Sequence, residues 1–188
     1  LADGLLGEMM EPVEFDDAEI KMSTAENKPW AANGHGNKRK HNIINSLYLQ
    51  ANELEQTIAD RFKRYDDLKA KHTMAEASNC EDADIVVVAY GSTARIAKSA
   101  VDAARKKGIK AGVFRPITLW PFPEKEINEA VKNAKKVLTV EMSMGQMVDD
   151  VRLSINCSKP VEFFGRTGGV IPSPAEILAK IEEMGGTK

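Results

Sequence analysis

The fold is decided by the stretch ADIVVVAYGSTAR, residues 83–95. It contains an unbroken apolar run, residues 85–90, in which β-branched side chains dominate and no polar residue alternates. Such a run is typical of a strand buried on both faces, at the centre of a parallel sheet. Gly91 and Ser92 then predict a tight turn into a helix. The sequence therefore predicts an α/β domain whose helices cover both faces of the sheet.

Beyond this stretch, strand-like and helix-like segments alternate to the end of the chain. Four strand and helix repeats predict one doubly wound, three-layer domain over residues 80–188. Ser92 or Thr93 would cap the helix at 93–107, and Gly108 would close it. The other predicted elements are strands at 110–114, 136–141 and 161–164, helices at 124–134 and 145–156, and a last helix that begins at a capping box of Ser173 and Glu176 and ends at Gly185.

The amino-terminal part divides into three segments. Residues 1–22 begin apolar and end acidic, with a short helix that Pro12 would terminate. Residues 23–42 have the composition of a linker with a basic cluster, which is better explained as solvated than as a phosphate site. Residues 43–79 predict a long helical arm, because apolar residues recur at steps of three and four. This stripe would either pack along a domain or pair with a second helix as a coiled coil.

Composition excludes several classes of function. The 188 residues include 26 basic and 28 acidic ones, and the formal net charge of −2 gives no field for nucleic acid or membrane. No apolar run is long enough to span a bilayer. Cys80 and Cys157 are far apart without a C-x-x-C motif, so no disulfide, zinc or iron–sulfur site is predicted and a cytoplasmic location is expected. Because the chain starts at Leu1, we expect a fragment of a longer protein.

A candidate site lies at the carboxyl edge of the predicted sheet, where open α/β sheets bind their ligands. Two arginines, one carboxylate and several hydroxyl or amide groups could bind an anionic substrate there, or form a docking rim. No histidine lies in the domain to pair with a nucleophile, and Gly91 alone does not make a dinucleotide motif, so no catalytic residue is predicted. The residues expected to form an interface or a route of substrate access are Ser92, Arg115, Glu141, Gln146, Arg166 and Thr167.

Five phrases occur in an order that resembles a known family. They are KPWAANGHGNKRKHNIINSLYLQ, DIVVVAYGSTARIAKSAVDAAR, GVFRPITLWPFP, VEMSMGQMVDDVR and FGRTGGVIPSP, and they cover essentially the whole chain. Together they resemble the C-terminal part of the α subunit of 2-oxoacid:ferredoxin oxidoreductases. The resemblance is strongest to the 2-ketoisovalerate branch, with the 2-oxoglutarate branch as the alternative.

This resemblance implies a fold like the C-terminal domain of transketolase, with residues 1–22 as a remnant of the preceding thiamine-binding domain. Enzymes of the family convert a 2-oxoacid to its acyl-CoA and reduce ferredoxin, using thiamine diphosphate, magnesium, iron–sulfur clusters and coenzyme A. None of these cofactors is expected to bind this chain alone, which we expect to be inactive.

The resemblance thus predicts an assembly domain whose partners are other domains and subunits of the oxidoreductase, with ferredoxin reached through the complex. A homodimer is a further expectation. The alternative is a domain that binds coenzyme A or the 2-oxoacid through Arg115 and Arg166. An independent flavodoxin-like carrier would need a flavin site that the sequence does not show.

Overall fold

The computed structural model describes residues 28–185, together with Glu8 and Glu14. The short helix predicted before Pro12 therefore lies outside the described residues, as does nearly all of the segment 1–22. The chain divides into two compact units, Met10–Arg64 and a second one of Leu1–Met9 with Tyr65–Lys188. The four predicted segment boundaries stay predictions.

A five-stranded sheet forms the centre of the larger unit, in the order β1-β3-β2-β4-β5. The strands are β1 (Ala75–Ser78), β2 (Ile85–Val88), β3 (Ala111–Pro116), β4 (Lys136–Glu141) and β5 (Val161–Gly165). All neighbouring pairs are parallel except β1 and β3, which are antiparallel. The apolar run that decides the fold is β2, and it lies at the middle of the sheet as predicted.

Helices cover both faces of this sheet. The described helices are α1 (Ala51–His72), α2 (Gly91–Lys106), α3 (Glu124–Ala130), α4 (Met147–Ser154) and α5 (Pro174–Gly185). On β2, Val87 points into a core formed with α2 and α5, whereas Val86 and Val88 point into a second core formed with α3 and α4. Alternate side chains of one strand thus supply both cores. The predicted three-layer α/β architecture is confirmed.

The predicted arm differs from the structure at both ends. Instead of one helix over residues 43–79, the helix is limited to Ala51–His72 and none of its residues is buried. Residues 43–49 form no regular secondary structure. Ala75–Ser78 form the edge strand β1, which pairs with β3 and places Glu76 opposite Arg115. The sequence AEAS is only a weak strand signal, since alanine and glutamate are depleted in strands. Pairing with β3, a tertiary contact, stabilises this strand.

Two of the predicted caps can be compared with the structure. Neither Ser92 nor Thr93 caps α2, because the helix already begins at Gly91 and Tyr90 occupies the N-cap position, with no side-chain capping hydrogen bond at this helix start. The Thr93 Oγ1 instead donates a hydrogen bond to the Tyr90 carbonyl oxygen at 2.5 Å. The predicted end of this helix is confirmed, since Gly108 has a φ of +81° and its N–H donates to the Arg105 carbonyl.

The capping box of the last helix is confirmed. The Ser173 N–H donates to the Glu176 carboxylate at 2.8 Å, and the Glu176 N–H donates to the Ser173 Oγ at 3.3 Å. These reciprocal bonds satisfy two backbone donors at the start of α5.

In the smaller unit, the described part of the predicted linker is tied by its own side chains. The Arg39 guanidinium donates to the Asn33 side-chain oxygen at 2.6 Å. The Asn42 amide donates to the carbonyls of Pro29 and Ala31 at 2.7 and 2.8 Å. Arg39 is thus engaged within the loop. Across the described residues of the whole chain, no helix is both long and apolar enough to cross a membrane.

Candidate functional site at the carboxyl edge of the sheet

Glu141, the last residue of β4, is fully buried. Its carboxylate accepts hydrogen bonds from the Ser143 Oγ at 3.1 Å and from the backbone N–H groups of Gln146, Met147 and Val148 at 3.1, 3.0 and 2.9 Å. The first N–H groups of a helix lack partners within it, and its dipole favours a negative charge at this end. Glu141 therefore anchors the start of α4, and its oxygens are engaged within the chain.

Ser92 lies beside this anchor, at the start of α2. It is buried, and its Oγ lies 3.7 Å from the Met142 sulfur. Met142 and Met144 belong to the loop between β4 and α4, and Met144 is 83% exposed. A Cβ at Gly165 would lie 2.4 Å from the Ser143 carbonyl oxygen, so the end of β5 approaches this loop closely. The Met-rich loop thus covers Ser92 and presents methionine side chains to the surface.

Arg166 follows β5 and is tied to the start of α5. Its guanidinium forms an ion pair with Glu176 and lies 5.5 Å from the Phe164 ring centroid. Glu176 is the residue of the capping box, so Arg166 joins the end of β5 to α5. The Arg166 Nε is buried without a hydrogen-bond partner in the described part of the chain. Thr167, next in the chain, is exposed.

Arg115 lies elsewhere on the sheet. Its guanidinium pairs with Glu76 of β1 at 3.1 Å. The strands β3 and β5 are separated by β2 and β4, which at about 4.8 Å per strand puts them roughly 14 Å apart. The structure therefore brings Ser92, Glu141, Gln146 and Arg166 to three adjacent strand ends, but it does not place Arg115 beside Arg166.

A feature missed by the sequence analysis is a groove beside Trp120. The Trp120 side chain is 57% exposed and packs edge-on against Tyr65, with ring centroids 5.2 Å apart. The groove has a volume of about 580 Å³ and runs between the end of α1 and the loop after β3. Two aromatic residues among prolines in the phrase TLWPFP were the available signal, but the phrase alone does not show which helix faces it.

The described residues do not supply a set of ligands for a metal ion or an iron–sulfur cluster. Among them, no group of three or more histidine, cysteine or acidic side chains could hold a metal ion. Cys80 is buried and Cys157 is exposed, so they offer no paired thiolates for a cluster.

Comparison with known structures identifies the fold. A 2-oxoglutarate:ferredoxin oxidoreductase from Magnetococcus marinus, solved with 2-oxoglutarate, coenzyme A and succinyl-CoA bound, matches 73% of this chain and 24% of its own with a TM-score of 0.65 at 22% identity. A split-gene transketolase, described as an inactive β4 tetramer, matches 58% of this chain and 40% of its own with a TM-score of 0.50 at 18% identity. These matches confirm the predicted transketolase-like fold.

Comparison of sequences identifies the family. The ketoisovalerate oxidoreductase subunit VorB of Methanothermobacter marburgensis is 40% identical over 99% of this chain and 52% of its own length. The 2-oxoglutarate synthase subunit KorA of the same organism is 44% identical over 55% of this chain and 28% of its own. This chain spans about half the length of the VorB relatives it matches. Residues 83–177 match the model of pyruvate:ferredoxin oxidoreductase core domain II, and the chain belongs to this family, as the resemblance predicted.

Proposed function

We propose that this chain is the assembly domain of a 2-oxoacid:ferredoxin oxidoreductase and that 2-ketoisovalerate is the substrate of the complete enzyme. The similarity to VorB over nearly the whole chain supports this substrate, and 2-oxoglutarate is the alternative because a KorA relative matches 55% of the chain. The complete enzyme would form an acyl-CoA and reduce ferredoxin, with thiamine diphosphate, magnesium, iron–sulfur clusters and coenzyme A bound by other parts.

The observation that carries this proposal is a set of exposed apolar side chains, close together in the chain, in the smaller unit. Ile43 and Leu49 are each 82% exposed, although isoleucine and leucine are among the residues most often buried. Contiguous apolar patches larger than a few hundred Å² are rare on monomers and mark sites of interaction. We call this set the apolar strip; it consists of Ile43, Ile44, Leu47, Tyr48, Leu49, Leu54, Ile58 and Phe62.

A second exposed apolar set lies at the carboxyl edge of the sheet. Its residues are Ile117, Met142, Met144, Val170 and Ile171. Methionine side chains are flexible and polarizable, which suits a surface that packs against another protein. The candidate residues Glu141 and Arg166 hold the two loops that carry most of this set. In the proposed function they shape an interface and bind no substrate.

The alternative function, binding of coenzyme A or the 2-oxoacid through two arginines, has less support. Arg115 and Arg166 lie on separated strands, and each is already paired with a glutamate. The partners we propose are the other domains and subunits of the oxidoreductase, with ferredoxin bound by the complex in the cytoplasm. A homodimer of this chain remains part of the proposal.

Co-expression with the remaining subunits tests the assembly role. We expect the double variant Ile43→Asp, Leu49→Asp to weaken co-elution with them by about tenfold or more, because burying an unpaired carboxylate is costly. The control double variant Gln50→Asp, Asn52→Asp adds the same two charges at exposed polar positions and should co-elute normally. Unchanged assembly of the double variant would contradict the proposal. Acyl-CoA formation by the complete complex with each 2-oxoacid decides the substrate.

A further inference from the structure

The groove beside Trp120 is lined by both apolar and charged side chains. Leu119, Trp120, Pro121 and Phe122 form one side, and Ala70 of α1 lies on the other. The charged side chains that line it are the carboxylates Asp66, Glu124, Glu126 and Asp150 and the amines Lys69 and Lys125. The groove therefore carries a formal excess of two negative charges.

The four carboxylates of the groove form no ion pair with a described basic side chain. Elsewhere in the described residues, many acidic side chains are paired with a basic one, as Glu76 is with Arg115 and Asp84 with Lys135. Lys69 and Lys125 offset only part of the negative charge of the groove, and the formal excess of two negative charges remains.

Asp150 also lies close to other negative charges. Its pKa is raised, first by desolvation and then by the neighbouring charges of Asp149 and Glu141. Both of these neighbours are acidic, and only Asp149 of the two is paired with a described basic side chain, Arg152 at 3.0 Å. A cation placed in the groove would relieve this repulsion, because an opposite charge nearby favours the ionised carboxylate.

Trp120 adds a contact of a different kind. More than half of its surface is open to solvent, while Tyr65 packs against it edge-on. Tryptophan is the side chain that binds cations best through its ring face, and arginine is the commonest protein cation in such contacts. The guanidinium group can stack on an indole ring and pair with a carboxylate at the same time.

We propose that the Trp120 groove binds a basic polypeptide segment of a partner subunit, with an arginine side chain stacked on Trp120 and paired with the surrounding carboxylates. This inference rests on the proposed assembly function and names the chemistry of one contact. A polypeptide fits better than a small molecule, because small-molecule sites enclose most of their ligand, whereas this groove is partly open to solvent.

A fluorescence titration tests the groove directly. In a Trp30→Phe background, Trp120 is the sole tryptophan and reports its own contacts. Titration with an oligo-arginine peptide should change this signal saturably, and an oligo-glutamate peptide should not. The double variant Glu126→Gln, Asp150→Asn should weaken binding by about tenfold, and added salt should weaken the binding of the parent chain.

The matched control is Glu53→Gln, Glu55→Gln, which removes the same charge from exposed positions of α1 outside the groove. This control should bind the peptide like the parent chain. Equal losses in both double variants would show that net charge alone attracts the peptide and would overturn the proposal, as would an unchanged Trp120 signal.

The assembled complex provides the second measurement. If a partner occupies the groove, Trp120 should be protected from acrylamide quenching in the complex and accessible in the free chain. A complex that forms normally while Trp120 stays accessible would refute the groove proposal and leave the assembly function intact. Failure of the complex to depend on the apolar strip would instead contradict the assembly function.

Discussion

Removal of the Glu141 carboxylate should destabilise the domain more than removal of any exposed acid. In Glu141→Ala, three backbone N–H groups at the start of α4 and the Ser143 hydroxyl lose their acceptor. A buried donor left without a partner costs about 1–3 kcal/mol, and a charge at a helix terminus contributes up to about 2 kcal/mol. Some donors will find water, so we expect a total loss of about 4 kcal/mol in the free energy of unfolding.

A loss of this size is readily measured. For a chain of 150–250 residues, 1 kcal/mol shifts Tm by about 2–4 °C, so Glu141→Ala should lower Tm by about 8–16 °C in calorimetry. Glu141→Gln keeps one acceptor oxygen and the shape of the side chain, so it should lose about half as much free energy. Hydrogen exchange should accelerate first at Gln146, Met147 and Val148, because these residues lose their acceptor.

The matched control is Glu129→Ala, since the Glu129 side chain is 76% exposed and its ion pair with Lys132 is 3.4 Å long. Exposed pairs contribute about 0–1 kcal/mol, so this variant should keep a Tm within about 3 °C of the parent chain. If Glu141→Ala also melts within about 3 °C of the parent, the carboxylate does not anchor α4 and the reasoning is wrong.

Three further outcomes are expected. Gly165→Ala should lose about 1–3 kcal/mol of stability in thermal unfolding, because its Cβ would meet a backbone oxygen at 2.4 Å, whereas Gly34→Ala meets nothing within 4 Å and should be nearly neutral. Cys157 is exposed and should react rapidly with iodoacetamide at pH 8. Cys80 should react only on unfolding, since burial raises the pKa of its thiol to about 11. Mass spectrometry measures both reactions. The hydrogen bond from an arginine of α2 lowers the pKa of Asp82. The Tm difference between the parent and Asp82→Asn should therefore have its largest value above pH 3.8 and become smaller as the pH falls below 3.8.

Much of the fold followed from local patterns. The run at β2 predicted a strand buried on both faces because its side chains are apolar on both sides of the pleat, and Val86, Val87 and Val88 are all buried. The capping box of Ser173 and Glu176 was predictable because both partners lie within one turn of the helix. Such signals depend on residues close in the chain.

The candidate site was predictable only as a set of residues near one edge. An acidic residue shortly before a helix start was a signal for the anchoring role of Glu141. Glu141 lies six residues before Met147, the first residue of α4, and is therefore outside the usual capping positions. The separation of Arg115 from Arg166 could not be predicted, since it depends on the order of the strands in the sheet.

By itself, the sequence determined the α/β class, the central strand, most helix positions and the family. The tertiary structure alone decided that Ala75–Ser78 would join the sheet as an edge strand, that Glu141 would turn inward to α4, and that Trp120 would face the end of α1. The physical reason is that hydrophobic periodicity and capping act between neighbours in the chain, whereas strand order and side-chain pairing depend on contacts between distant segments.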